Sequence, residues 1–324
     1  MIGRILTLLA RRATAILPFS VAIGLVFPGL ASLLRPTITP LVVLILIVAM
    51  VRTDWPALRH LATRPLRIAF VMALVMIGIG LIVAPLARHL GIEPGLALAV
   101  SIMCFCPPIT SAPAFAAILG LNQALCLVVA VAGLLIVPLT LPPMALVLLD
   151  LQLDVGVGAL MARLAGLIGV ALAVALLLRW RLRDRLAALA YPIDGVGVLL
   201  LIVFAIAIFD GVTVQFLADP WRVLGFVAAS FATHLVYQCL AIALSVRLGR
   251  RDALTAGFLA GTRNMGLLLA ALPASTDPAL FLFIATAQFP IYIMPTLLKP
   301  IYGRLLGSPG GGTGARLAKQ RPGR

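Results

Sequence analysis

Ala260-Gly261-Thr262-Arg263-Asn264-Met265-Gly266 interrupts a stretch, Leu254 to Pro273, whose other residues are apolar or small and polar. Arg263 is the charged residue in that stretch. An arginine near the centre of a bilayer costs at least ~2.5–3.5 kcal/mol, so it marks a functional site by default. The glycines, threonine and asparagine around it predict a broken membrane helix, the second mark of a transporter site.

Composition agrees with a membrane setting. Hydrophobic residues make up 63% of the 324 positions and charged residues only 11%. A soluble core does not need so much apolar surface, whereas a polytopic all-α membrane protein does. The formal net charge of +15 does not point to nucleic acid. Its arginines flank apolar segments instead of lining one stripe, so the anionic inner leaflet of the lipid bilayer is the expected partner.

Ten apolar segments stand between polar punctuation: 13–34, 37–52, 66–88, 95–119, 122–149, 156–179, 193–216, 221–247, 252–273 and 278–303. Pro138, Pro142 and Pro143 are expected to end or bend the fifth. Arg4, Arg11 and Arg12 precede a long apolar run without a small-residue cleavage site, which predicts a retained first helix and not a signal peptide. With the N-terminus cytoplasmic, 20 of the 25 basic residues fall inside. Arg35, Arg88, Arg163 and Arg222 fall outside, and Arg263 stays within the membrane. This asymmetry predicts an even number of spans in the inner (plasma) membrane with both termini cytoplasmic.

The fourth segment carries a second interruption, Cys104-Phe105-Cys106-Pro107-Pro108-Ile109-Thr110-Ser111-Ala112-Pro113. Pro107, Pro108 and Pro113 remove backbone donors and disfavour helix before them. Together with Gly261 they place a helix break in the fourth segment of each half. Five helices per half give the halves opposite topology. The expected fold is therefore an inverted 5+5 repeat with discontinuous helices 4 and 9 crossing at the midplane. Residues 1–152 form the first repeat, 153–306 the second, and 307–324 a disordered basic cytoplasmic tail.

Cys106-Pro107-Pro108-Ile109-Thr110-Ser111-Ala112-Pro113 with its flanks, and Gly261-Thr262-Arg263-Asn264-Met265-Gly266-Leu267, resemble two stretches of the bile acid:sodium symporter family. The resemblance implies a panel domain moving against a core domain that holds the crossed helices. It also implies sodium ligands that this chain lacks. Ala112 and Pro113 stand where the family has a serine–asparagine pair, Leu259 where it has a glutamate, and Arg263 where it has a glutamine. Segment three, the source of another family ligand, has no polar side chain between Ile68 and Ala87. A hard cation would find little beyond carbonyls and Thr110, Ser111, Thr262 and Asn264.

Arg263 is thus expected to act as a built-in cation, with sodium coupling lost. Two roles stay open for it: holding a carboxylate, sulfonate or phosphate of the substrate, or pairing with carbonyls at the half-helix ends. His234 and Gln238 share a helix face. His234 either exchanges a proton or makes an interhelical hydrogen bond. Gln288 either faces the site or bonds a neighbouring backbone, and Asn264 either satisfies freed backbone groups or touches substrate. The candidate substrate-binding set is Arg263, Asn264, Thr262, Thr110, Ser111, Gln288 and His234. No metal or cofactor pattern is present.

The expected function is a secondary transporter for a small organic anion working by alternating access. An arsenite-type permease using Cys104 or Cys106, or an auxin-carrier-like permease, is the alternative within transport. A non-transporting membrane sensor or scaffold is the alternative outside it. An enzyme is not expected, because the three histidines (His60, His89, His234) lie in different segments and no carboxylates pair within the membrane.

Overall fold

A computed structural model describes residues 2–55, 65–149, 156–272 and 277–307. The predicted join at 152–153, the tail 308–324 and His60 lie outside the described residues. The architecture is all-helical. Seven helices among the described residues are long and apolar enough to cross a membrane: Pro28–Arg52, Pro65–His89, Gln123–Leu146, Val157–Leu182, Ala190–Ala218, Pro220–Leu248 and Pro278–Leu306.

In chain order, α1 (Ile2–Arg11) and α2 (Ala13–Val26) lead to Phe27, whose backbone leaves the helical region. Pro28 then opens α3 (Pro28–Leu34), which passes through a 3-10 turn at Arg35–Thr37 into α4 (Ile38–Arg52). The expected first segment, 13–34, is therefore divided at Phe27. Proline suits the first turn of a helix, where its missing N–H costs nothing. Next come α5 (Pro65–Ala73), a π turn at Leu74–Gly78 and α6 (Ile79–His89). The fourth segment is split into α7 (Pro94–Met103) and α8 (Ala112–Leu119).

Gly120, at φ +72°, ends α8 and leads to α9 (Gln123–Leu149). Pro138, Pro142 and Pro143 do not end this helix, contrary to expectation: it runs through all three. Neighbouring helices and local adjustments can satisfy the carbonyls that such prolines free. The second half has α10 (Val157–Leu182), α11 (Ala190–Ala207), α12 (Val212–Ala218) and α13 (Pro220–Ser245). The ninth segment is split into α14 (Arg250–Gly261) and α15 (Met265–Ala271). The last comprises α16 (Pro278–Thr286) and α17 (Gln288–Leu306).

The helices sort into two packing groups that each draw on both halves of the chain. One contains α1–α4, α10 and α11, with α11 packed against α1, α2, α3 and α4. The other contains α5–α9 and α13–α17, with α13 lying along α14 and α7 packed on α6 and α16. The ion pairs among the described residues stay within a group, whereas α12 bridges the two, Thr213 Oγ1 donating to Leu25 O at 2.7 Å and Arg222 Nη1 to Gln215 Oε1 at 3.5 Å. In the first, Arg35 pairs with Asp210 at 2.7 Å, Arg52 with Asp194 at 2.6 Å, and Arg179 donates to Val51 O at 2.5 Å. In the second, Arg222 pairs with Glu93 at 2.6 Å, Arg67 with Asp252 at 3.3 Å, and Tyr302 donates to Gln238 Oε1 at 2.8 Å. Between the groups, α9 packs along α10, Phe204 lies against Gly266 and Phe209 sits edge-on to Phe289, with ring centroids 5.6 Å apart. The Arg35 guanidinium also sits over the Phe281 ring, 5.1 Å from its centroid.

Two stability predictions follow from this packing. A Cβ built on Gly257 would lie 2.5 Å from Ile242 Cγ1 and 2.9 Å from Gln238 O, so α14 can lie this close to α13 only with glycine there. Gly257→Ala is expected to cost ~1–3 kcal/mol by overpacking. Gly169→Ala, where a Cβ meets nothing within 4 Å, should leave stability level or raise it by up to ~1 kcal/mol. Thermal unfolding in detergent checks both.

The second concerns pH. The Arg222 guanidinium bonded to Glu93 holds that carboxyl below its usual range. A lowered folded pKa contributes stability above the unfolded value of ~4.3, and the contribution is lost as pH falls through the folded pKa. Both side chains are more than a third exposed or close to it, at 35% and 38%, so the effect is at most ~1 kcal/mol. Glu93→Gln should therefore lower the melting temperature slightly at pH 7, with the difference shrinking below pH 4.

Candidate functional site

Both breaks are made by residues that cannot continue a helix. After Met103 the backbone N–H groups of Cys104, Phe105 and Cys106 reach back three residues, to Ser101, Ile102 and Met103. Pro107 and Pro108 then offer no N–H, and the chain extends. In the other break, Thr262 is extended at φ −103°, ψ 94°, and Asn264 lies at φ −85°, ψ 74°. The two extended strips pair antiparallel across Pro108 and Arg263. Ile109 N donates to Thr262 O at 3.1 Å, and Asn264 N to Pro107 O at 2.7 Å. Backbone groups freed by one break are thus satisfied by the other.

Arg263 sits at this pairing with no exposed surface. Its Nε donates to Ala260 O at 2.6 Å, Nη1 to Cys106 O at 2.9 Å and Nη2 to Val75 O at 2.7 Å. The first acceptor ends α14 and the second lies in the turn that follows α7, and carbonyls at such helix ends lack helical partners and carry partial negative charge. The third has a different origin. In the π turn, Ile79 N bonds Leu74 O, five residues back, which releases the Val75 carbonyl that an α-helix would have used. Three elements therefore aim a carbonyl at one cation. Leu259, the position where the resembled family has a carboxylate, is fully buried leucine.

This geometry matches the carbonyl-pairing role for Arg263: each of its three nitrogens donates to main chain. The other predicted residues divide by location. Thr110 and Asn264 are half-buried and Ser111 is exposed, so these three form the accessible face of the crossing. Thr110 borders a void of about 20 Å³ that it shares with Met50 and Thr53 of the other packing group. Asn264 caps α15, its side chain accepting from Leu267 N at 3.3 Å. Thr262, Gln288 and His234 are buried; Thr262 and His234 turn to their own helices, and Gln288 to the end of the preceding helix, α16. Thr262 Oγ1 donates to Phe258 O at 2.7 Å, and Gln288 Nε2 to Ile284 O at 3.1 Å.

His234 Nδ1 lies 2.7 Å from Ser230 O, which makes Nδ1 a donor that carries a proton. Its Nε2, and Gln238 Nε2 one turn on, have no hydrogen-bond partner among the described residues. Cys104 and Cys106 are fully buried, their thiols directed at Val100 O and Ile102 O of their own helix at 3.7 Å. Pro113 is half-buried in the first turn of α8, and Gly261 lies against Gln238, whose Cγ a Cβ would meet at 2.4 Å. Sequence reasoning missed the Val75 carbonyl and the hydroxyl of Tyr237, which donates to Val100 O and ties α13 to α7. A main-chain acceptor leaves no mark in a run of apolar letters. Tyr237 lies beside His234 and Gln238 in sequence, so its buried position on α13 was within reach of the helical spacing.

No protein-family model matches the chain, and no curated protein matches it either.

The geometry makes Arg263 a test of the crossing itself. Arg263→Met would leave three buried carbonyls without a donor, each costing ~1–3 kcal/mol. It should unfold the protein or lower its melting temperature far more than Arg263→Lys, whose three donors can still reach some of the acceptors. Scanning fluorimetry of the two variants side by side measures this; equal, small losses would show that the guanidinium does not hold the break.

Proposed function

We propose that the chain is a secondary transporter of a small organic anion, working by alternating access, in which Arg263 replaces a coupling sodium ion. One observation carries the reading: a buried guanidinium held by carbonyls from three elements at a crossing of two broken helices. In transporters such crossings sit at the midplane, and half-helix ends coordinate the ions there. A covalently attached cation would take that position here, with no carboxylate beside it among the described residues.

The proposed topology has ten spans and both ends cytoplasmic in the plasma membrane. Seven are the long apolar helices. The others are the shorter first helix, which includes Ile16–Val26, and the two broken ones. This plan, with its inverted repeats, is that of the bile acid:sodium symporter family, of which the chain would be a member without the sodium site. The two packing groups supply the moving parts. Ion pairs inside each group and ring contacts between them favour rigid bodies that slide on a largely apolar seam. The arsenite-type alternative is less well supported, since both candidate thiols are buried and face their own helices.

Two arms in proteoliposomes test the reading. Uptake of carboxylates and sulfonates should proceed equally in sodium, potassium and choline buffers. A specific requirement for sodium would overturn the built-in cation. In a Cys239→Ser background, Phe204→Cys with Gly266→Cys should be joined by a short bis-methanethiosulfonate, and cross-linking should stop transport at least 10-fold. Undiminished transport by the cross-linked protein would exclude sliding of the two groups.

A further inference from the structure

With its guanidinium spent on carbonyls, Arg263 is poorly placed to neutralise an anionic substrate, so another cation is needed where the two packing groups meet. Such a place exists. An open groove of about 250 Å³ runs between the N-terminal part of α10 and the last turn of α15, the half-helix that starts at Asn264. Arg163, Gly166 and Leu167 line one wall, and Ala270, Ala271 and Leu272 the other.

Three features make this groove a site for a ligand of definite chemistry. Arg163 makes no ion pair or hydrogen bond among the described residues. By contrast, Arg35 and Arg222, on the same side in the proposed topology, are committed to Asp210 and Glu93. Gly166, one turn along from Arg163, faces open space: a Cβ there would meet nothing within 4 Å. The opposite wall is the end of α15. Leu272 N bonds Leu268 O, and the extended backbone of Leu272 stops the helix. The carbonyls of Leu269, Ala270 and Ala271 therefore have no helical partner.

The groove thus sets a guanidinium fork opposite carbonyls that have no partner within their helix. A guanidinium takes a carboxylate or sulfonate through two parallel bonds. Carbonyls repel that same anion and take an N–H or O–H. We infer that this groove is the first binding site for the transported solute, a small organic acid bearing a hydroxyl or amino group next to its carboxylate. Arg163 holds the carboxylate, the last turn of α15 accepts from the neighbouring donor, and Gly166 leaves room for the ligand's apolar remainder. The groove spans α10 of one group and α15 of the other, so a ligand seated in it senses their relative position. This assignment rests on the carrier reading for its role, though binding itself is measurable without transport.

The test uses the full chain in phosphatidylcholine nanodiscs with three probes of one length: hexanoate, 2-hydroxyhexanoate and 2-aminohexanoate. The hydroxy or amino acid should stabilise the protein against heat with an affinity about 10-fold above hexanoate. Arg163→Gln should weaken that binding at least 10-fold, with Arg163→Lys between. Gly166→Leu fills the groove from an unobstructed position, so it should abolish binding and leave the ligand-free melting temperature unchanged. Equal binding by all variants, or no binding of any probe by the wild type, would overturn the assignment. Arg163-dependent stabilisation by phosphatidylglycerol nanodiscs, with none by the soluble acids, would also overturn it and make the groove a lipid headgroup site. Arg163-dependent binding without flux would sink the carrier and leave the groove standing. Flux with an unchanged KM in Arg163→Gln would do the reverse.

Discussion

A positive charge buried among carbonyl oxygens fixes the centre of this protein. Desolvating a guanidinium costs several kcal/mol, and no carboxylate among the described residues offsets it. The compensation is distributed over main-chain dipoles. Ala260 O and Cys106 O carry the negative ends of two half-helices, and Val75 O is released by a π turn in a third helix. Each of these irregularities would be a defect in isolation. Together they form one coordination shell, and removing any of the three elements would leave the cation short of an acceptor. The two helix breaks, the π turn and the arginine are best understood as a single unit.

Much of that unit can be read from the sequence because proline and glycine act locally. Pro107 and Pro108 withhold N–H groups, and the Gly261-Thr262-Arg263-Asn264 run weakens the helix locally, so both breaks were visible. The polar face formed by Thr110, Ser111 and Asn264 was visible for the same reason. Other features depend on neighbours. Pro138, Pro142 and Pro143 leave α9 continuous because packing overrides their local preference. Phe27, not the Arg35–Thr37 stretch, divides the first two helices, although Pro36 looks the stronger signal. His234, Gln288 and Thr262 have polar letters that fit a binding site, yet each bonds a carbonyl four residues before it. Sequence tells which residues can form a polar contact; the direction of each side chain is set by the helix opposite.

The distribution of polar contacts between the two helix groups has a mechanical meaning. Hydrogen bonds are directional and lock the parts that share them, whereas ring contacts tolerate displacement. Arg52–Asp194 and Arg179 with Val51 hold the first group together near one end of its helices, and Arg35–Asp210 does so elsewhere along it. Arg222–Glu93 and Arg67–Asp252 do the same for the second. Phe204, Phe209, Phe281 and Phe289 fill the seam. Ion pairs are concentrated inside the bodies, and ring packing together with the α12 bridge connects them.

The order of the Arg263 contacts along the chain bears on how the protein is made. Cys106 and Val75 precede Arg263 by more than 150 residues, and Ala260 lies just before it. When the ribosome delivers the ninth hydrophobic segment, every carbonyl that will receive its charge has already been synthesised. An arginine is the worst residue to hand to lipid alone. Here it can pass from the translocon to waiting acceptors, so an awkward segment enters the membrane late, onto a scaffold prepared by the first half of the chain.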